Sequence, residues 1–208
     1  MLDQQKGGRV LTLRPRQTGI SLIETMIGLT IVGLLMSVGI PSFSSYLQNV
    51  QIRNAAEAIK NGLSYARGEA VRRNTNVQFQ LGTGSSWTVG CVVVSGTNCP
   101  ATIQARDAAQ GSGNASLATS EIVGSTNATV ATPVFTNTLA FNGVGKSVTL
   151  PSGNNAIFDV TNTNGGGRCV SASGAMRCLR IVVTSGGQIR MCDPARSSSV
   201  IPRDPQAC

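Results

Sequence analysis

The spacing of hydrophobic residues divides this chain into three parts. Residues 20–40 form a largely apolar segment with one charge, Glu24. Between residues 50 and 71 the apolar positions recur every three or four residues, a spacing typical of an amphipathic helix. The residues of this stripe are Ile52, Ala55, Ala56, Ile59, Leu63, Ala66 and Ala70. Beyond residue 74 the period falls towards two, which indicates β-strands. The pattern therefore predicts one long helix followed by a β-rich part.

The first apolar segment has the length of a membrane span. As a helix, residues 20–40 would be about 30 Å long, close to the thickness of the hydrocarbon layer. Pro41 follows directly and is expected to loosen the helix, because proline removes one backbone donor and crowds the preceding turn. A carboxylate within such a span is costly and usually functional, so Glu24 is a candidate functional residue.

The β-rich part offers five separate stretches with strand patterns and a closing hairpin. We predict strands at 77–81, 87–94, 138–141, 148–150 and 156–160. Residues 106–132 are rich in Ala, Gly, Ser, Thr and Asn, and we predict a long loop there, with one short strand near 129–134.

The register of the closing hairpin follows from its apolar alternation. A three-residue loop at 185–187 places Val183 beside Ile189 and Ile181 beside Met191, so that all apolar residues share one face. A two-residue loop would mix apolar and charged residues on each face. The preferred register leaves Arg180 and Arg190 together on the outer face.

Charge distribution adds a prediction of topology. The chain has 17 Lys and Arg against 9 Asp and Glu, a net charge of +8. Four basic residues and one acid precede Gly19, so residues 20–208 hold 13 basic and 8 acidic residues, a net +5. Basic residues in front of an apolar span favour a cytoplasmic N-terminus, which places the β-rich part across the membrane.

Cysteines and histidines limit the chemistry. All six cysteines follow residue 90, there is no histidine, and no Cys-x-x-Cys occurs, so disulfides are favoured over a zinc site. Six cysteines permit fifteen pairings. Local closure favours Cys91–Cys99, Cys169–Cys178 and Cys192–Cys208. Without histidine there is no Ser-His-Asp triad, and no pair of carboxylates forms a motif. We therefore expect no catalytic residues, no metal and no cofactor.

The start of the apolar segment carries a recognisable motif. The sequence Arg-Gln-Thr-Gly, ending at Gly19, is followed by Ile-Ser-Leu-Ile-Glu, ending at Glu24. It resembles the type IV prepilin leader and its N-methylated helix, with Ile20 where the family usually has Phe. The resemblance implies cleavage between Gly19 and Ile20 by a prepilin peptidase, methylation of the new amine, and roles in assembly for Glu24 and Pro41.

A second resemblance lies at the end of the helix and in the last strand. Ala66-Arg67-Gly-Glu69-Ala70 and the closing Cys-Asp-Pro resemble the FimT/FimU/GspH group of minor pilins and pseudopilins. The group implies an α+β pilin fold, with a long helix packed on a β-strand head. The expected parts are a cytoplasmic leader at 1–19, a transmembrane and filament-core helix at 20–40, an amphipathic continuation at 41–74 and a periplasmic head at 75–208.

Two functions follow from the resemblance. The favoured one is a minor pilin that initiates or caps a type IV pilus, or the related type II secretion pseudopilin, with other minor and major pilins and the bacterial inner membrane as partners. The alternative is a DNA-binding minor pilin for natural transformation, with Arg180 and Arg190 as candidate DNA contacts. The DNA-binding branch carries Gly-Arg-x-Arg, whereas this chain has Gly187-Gln188-Ile189-Arg190. Because Gln188 replaces an arginine of that motif, DNA binding is not favoured.

Overall fold

The computed structural model describes residues 19–96, 98–162, 168–196 and 204–208, and for residues 38 and 40–42 it describes the backbone alone. The leader expected at 1–19 lies outside these residues except for Gly19, and so does the side chain of Pro41. The chain divides into two compact units, Met1–Pro41 and Ser42–Cys208.

The first unit contains the start of helix α1, which spans Leu22–Arg73 and continues through position 41. Its large apolar side chains are solvent-exposed; Leu22, Leu29 and Leu34 each expose more than two thirds of their surface. Within the described residues, no helix is both long and apolar enough to cross a bilayer. The membrane span expected at 20–40 stays a prediction.

In the second unit, α1 presents its predicted apolar stripe to the protein core. Every residue of the stripe from Ile52 to Ala70 is fully buried, which confirms the amphipathic pattern. Gly62 lies on the same side of the helix, where an added Cβ would come within 2.8 Å of the Phe79 and Trp87 rings. The small residue therefore allows close approach of the helix to the first sheet. The helix ends where Asn74 takes a left-handed conformation, at φ 49°.

The β-rich part of this unit consists of two four-stranded antiparallel sheets. The strands are β1 (Val77–Leu81), β2 (Trp87–Cys91), β3 (Gln104–Arg106), β4 (Ser116–Val123), β5 (Thr138–Phe141), β6 (Asn154–Thr161), β7 (Leu179–Thr184) and β8 (Ile189–Cys192). The first sheet has the order β3-β2-β1-β5 and the second the order β4-β6-β7-β8. A short 3₁₀ helix, Val170–Ala172, precedes β7.

One core joins both sheets to the second half of α1. Phe79 from the first sheet meets Phe158 from the second edge to face, with ring centroids 6.0 Å apart. Phe135 packs on Phe158 at 5.1 Å, and Phe141 is also fully buried. Such edge-to-face pairs add to the free energy gained by burying the rings. The expected α+β class, a long helix packed on a β-strand head that contains disulfides, is confirmed.

Three of the five strand predictions are correct. Of the other two, one strand is shorter than predicted and one does not form. Strands appear at 77–81, 138–141 and 156–160, the last extended to Asn154–Thr161. The strand predicted at 87–94 ends at Cys91. Val92 still donates to the Asn76 carbonyl at 3.0 Å in the same register, but the chain then folds back so that Ser95 bridges to Cys99. The prediction of a strand at 148–150 is wrong. These residues form no strand, and the preceding residue, Ser147, makes an isolated bridge to Phe141.

The long loop predicted at 106–132 is also wrong. Its middle forms β4, which pairs with β6 along its full length from Ser116↔Thr161 to Val123↔Asn154. No strand forms at 129–134; Thr129 makes an isolated bridge to Ile122. The small and hydroxyl-bearing residues of β4 give a weak apolar signal, and the strand is specified instead by its partner β6, which supplies Phe158 and Val160 to the core.

The closing hairpin has the predicted register. Ile181 pairs with Met191 and Val183 with Ile189. The Thr184 amide donates to the Gln188 carbonyl at 3.0 Å across the loop, and Gly187 takes a left-handed conformation at φ 83°. A three-residue hairpin loop requires such a residue at its last position.

Candidate functional site

The candidate assembly site is the segment that carries Gly19, Ile20 and Glu24. Gly19 and Ile20 precede α1 and are exposed, and Glu24 lies in the first turn of the helix. A carboxylate is favourable there, because the helix N-terminus carries partial positive charge. Within the described part of the chain, the Glu24 carboxylate has no ion pair or hydrogen bond. The site thus combines an accessible peptide bond with an unpaired charge in an apolar surface.

The disulfides join neighbouring cysteines, as local closure predicts. The bonds are Cys91–Cys99, Cys169–Cys178 and Cys192–Cys208. The last bond holds the C-terminal residues beside β8, where the Asp193 amide donates to the Gln206 carbonyl at 2.7 Å. Closing a loop of this length stabilises a fold by about 3 kcal/mol in chain-entropy terms.

A cluster of charges joins the end of α1 to the Cys91–Cys99 loop. The buried Glu69 carboxylate accepts hydrogen bonds from Arg72 at 2.6 Å and Arg73 at 2.7 Å. Arg73 in turn donates to the Asn98 carbonyl. The hydrogen bond from Arg72, followed by that from Arg73, lowers the pKa of Glu69 against the opposing effect of burial. Arg67 and Glu69, which belong to the same motif in the sequence, therefore have different partners. Glu69 orders the helix end, and Arg67 donates to the Gly145 carbonyl at 3.0 Å.

Arg180 and Arg190 share the outer face of the second sheet, as the hairpin register predicts. Arg180 pairs with Cys192 and Arg190 with Val182, which places both arginines on the same side. Arg180 forms a bidentate ion pair with Asp159, at 2.7 and 3.0 Å. Arg190 is exposed and has no acidic partner among the described residues. Of the two candidate DNA contacts, one is already neutralised by the protein itself.

Sequence reasoning missed a buried carboxylate, Glu121 of β4. Its side chain is 1 % exposed and accepts hydrogen bonds from the amides of Val134 and Phe135, at 2.8 and 2.9 Å, and from Asn154 at 2.6 Å. Burial raises its pKa, but these three hydrogen bonds together outweigh burial and lower it. A signal was available: Glu121 is the one charged residue between positions 108 and 145.

The described residues contain no group of three or more His, Cys, Asp or Glu side chains that could hold a metal ion. The charged clusters at Glu69, Glu121 and Asp159 instead connect elements of the fold. They order the head.

Comparisons with known proteins find two family models in this chain. The model described as type II transport protein GspH matches residues 55–187. The model described as prokaryotic N-terminal methylation motif matches residues 14–40. No curated protein matches the chain.

Two crystal structures of the type IV minor pilin FimU from Pseudomonas aeruginosa PAO1 are similar to parts of the fold. The first is 20% identical over 67% of this chain and 87% of that one, with a TM-score of 0.44. The second is 19% identical over 67% and 90%, with a TM-score of 0.42.

Proposed function

This chain belongs to the family of the type II transport protein GspH and carries the prokaryotic N-terminal methylation motif, and from these two facts we propose how it is processed and assembled. It is a minor pilin or pseudopilin, a structural subunit of a type IV pilus or a related pseudopilus. The observation that carries the proposal is the motif at 14–40, which coincides with the exposed residues Gly19 and Ile20 and with the unpaired Glu24.

Processing occurs at the junction between leader and helix. A prepilin peptidase cleaves between Gly19 and Ile20, and the new amine of Ile20 is methylated. The exposure of both residues ahead of α1 supports this step, since a peptidase needs an accessible backbone. Before assembly, residues 20–40 hold the subunit in the inner membrane, with the head on the periplasmic side.

Assembly depends on the charge of Glu24. In the filament, the carboxylate pairs with the Ile20 amine of a neighbouring subunit, which offsets the cost of a charge in an apolar environment. The exposed side chains of the first unit, such as Leu29 and Leu34, pack on neighbouring helices. Pro41 loosens the helix where it leaves this apolar segment. The subunit initiates or caps the filament in company with other minor and major pilins.

Substitution of Glu24 by valine tests this assignment. Glu24→Val removes a costly charge, so the protein should still accumulate in the membrane, but it should be absent from purified filaments. Thr30→Val is the matched control, because it removes an exposed polar group from the same helix without changing charge. Filaments that contain normal amounts of the Glu24→Val protein would show that the charge has no part in assembly.

DNA capture is not the function that we propose. Arg180 is engaged by Asp159, and Gln188 occupies a position that is arginine in the DNA-binding branch. Of the two candidate contacts, Arg190 remains, and a single phosphate contact gives weak binding that is independent of DNA sequence.

A further inference from the structure

At the edge of the second sheet, strand β8 carries backbone groups that no described residue pairs with. The Thr184 amide donates to the Gln188 carbonyl, which fixes the first hydrogen-bonded pair between β7 and β8. Hydrogen-bonded pairs alternate with unbonded pairs along antiparallel strands. The N–H and C=O groups of Ile189 and Met191 therefore point away from β7. Among the described residues, none pairs with these four groups.

At two of the other three sheet edges, those of β5 and β4, the chain supplies a backbone partner of its own. Along β5, the Val148 amide donates to the Ala140 carbonyl at 2.9 Å. Along β4, the Val130 amide donates to the Glu121 carbonyl at 2.9 Å. Natural sheets cover or interrupt exposed edges, because open edges recruit further strands. The uncovered part of β8 is therefore a candidate acceptor for a strand from another chain.

Cavities lie between β8 and α1 at both ends of the uncovered edge. One, of about 740 Å³, is lined by Gln188 and Ile189 of the hairpin and by Ser64 and Arg67 of the helix. The other, of about 330 Å³, is lined by Met191 and by polar residues that include Arg177. We call the uncovered edge together with these two cavities the β8 groove.

Immediately beyond β8, the C-terminal residues of the chain already pair with the same edge of the second sheet. The Asp193 amide donates to Gln206, and Asp193 forms a parallel bridge with Ala207. Gln206 also lines the smaller cavity. The edge is thus accessible to an extended segment just past Cys192, and the β8 groove continues the same line towards the hairpin loop.

Charge indicates what such a segment carries. The two cavities are lined by one acid, Asp193, and by four arginines, Arg53, Arg67, Arg72 and Arg177. Arg53 and Arg72 are paired with Glu57 and Glu69, so the charge of the groove comes from Arg67 and Arg177. Asp193 is buried and faces Arg196 at 3.7 Å. The Arg177 side chain is exposed and has no acidic partner in the described ranges. The groove is therefore electropositive and complements Asp or Glu side chains.

We propose that the β8 groove binds an extended, acidic segment of a neighbouring pilin subunit, which adds as a strand beside Ile189 and Met191. Main-chain hydrogen bonds hold the segment, and its carboxylates face the arginines of the groove. The inference rests on the proposed function, because it takes the partner to be another subunit of the same filament. It assigns to the head a contact separate from the packing of residues 20–40.

Site-specific photo-crosslinking in cells that assemble the filament tests the inference. A benzoylphenylalanine is placed at Gln188 or Ser64 in the groove, and at Leu29 in the exposed apolar segment. We expect all three to capture other subunits, and the adducts of Gln188 and Ser64 to map to one acidic peptide. Adducts from Leu29 with none from either groove position would overturn the inference and leave the proposed function standing. Loss of adducts at all three positions would contradict both.

Two variants separate the backbone and charge contributions. Met191→Pro removes an outward N–H, which an edge strand tolerates. Met191→Ala removes the same core-facing side chain but keeps the N–H, so it is the control and should retain the adduct. Arg177→Glu reverses an exposed charge in the groove, and Arg168→Glu is its control, an exposed arginine outside both cavity linings. We expect Met191→Pro and Arg177→Glu each to lower the Gln188 adduct yield about five- to tenfold, while Arg168→Glu matches the parent. Intact disulfides by non-reducing mass mapping confirm folding. Unchanged yield in Arg177→Glu, or an equal loss in Arg168→Glu, would contradict charge-dependent docking.

Discussion

At the scale of single residues, buried carboxylates link stability to pH. Glu69 and Glu121 have pKa values lowered below their ordinary 4.5, and in both cases hydrogen bonds outweigh burial. A lowered folded-state pKa means that the unfolded chain binds more protons, so the stabilisation is present above the unfolded-state pKa and is lost as pH falls through the folded-state value. The free energy of unfolding should therefore be constant near neutrality and fall as pH drops below about 4.5.

Substitution of Glu121 by glutamine measures this contribution. Glu121→Gln keeps the shape of the side chain but weakens its hydrogen bonds to Val134 and Phe135, so we expect a loss of about 1–3 kcal/mol at pH 7. The same variant should lose less stability between pH 5 and pH 3 than the parent, because it lacks the titrating group. Denaturant unfolding of the parent and variant proteins at pH 7, pH 5 and pH 3 measures these differences in the free energy of unfolding. Parallel pH profiles for the two proteins would show that Glu121 does not titrate in this range.

The outer face yields a prediction at one further residue, Arg190. With Arg180 held by Asp159, the mature protein in detergent should bind duplex DNA at physiological salt no tighter than about 10⁻⁶ M. Arg190→Gln should leave filament incorporation unchanged, since this exposed side chain is outside the core. Submicromolar binding that Arg190→Gln abolishes and Arg168→Gln retains would instead make this subunit a DNA receptor.

At the scale of elements, the helix stripe and the hairpin register could be predicted from the sequence, because burial determines which residues are apolar. The stripe from Ile52 to Ala70 and the register of Val183 with Ile189 are both correct, because each apolar side chain has one face on which it can be buried. Strand β4 could not be predicted in this way. It is held by β6 and by Glu121, whose partners Val134 and Phe135 lie across a turn.

The ends of elements follow from contacts that the pattern of a single strand does not contain. Strand β2 ends at Cys91, where the chain folds back through the Ser95–Cys99 bridge and the Cys91–Cys99 bond. The cysteine pairing itself was predictable, since short spacings favour local closure. The ion pair between Arg180 and Asp159 was not, because it depends on the alignment of β6 with β7. Its consequence is functional, since it removes one candidate phosphate contact.

At the scale of the whole molecule, the two units have different surfaces and suit different roles in a filament subunit. In its described part, the first offers exposed apolar side chains and the Glu24 carboxylate, which has no partner there; such a surface suits packing among copies of the same kind of helix. The second has its own core of helix and sheets, three disulfides and the β8 groove. The family match, residues 55–187, lies within the second unit, and the methylation motif, residues 14–40, lies within the first.

The most direct test of this account is the intact mass of the protein isolated from assembled filaments. The account predicts a chain that begins at Ile20, carries one methyl group on its new amine, and contains three disulfides. A filament-derived protein that retains residues 1–19, or that begins elsewhere in the apolar segment, would contradict the assignment of Gly19 and Ile20 as the processing site and with it the proposed route of assembly.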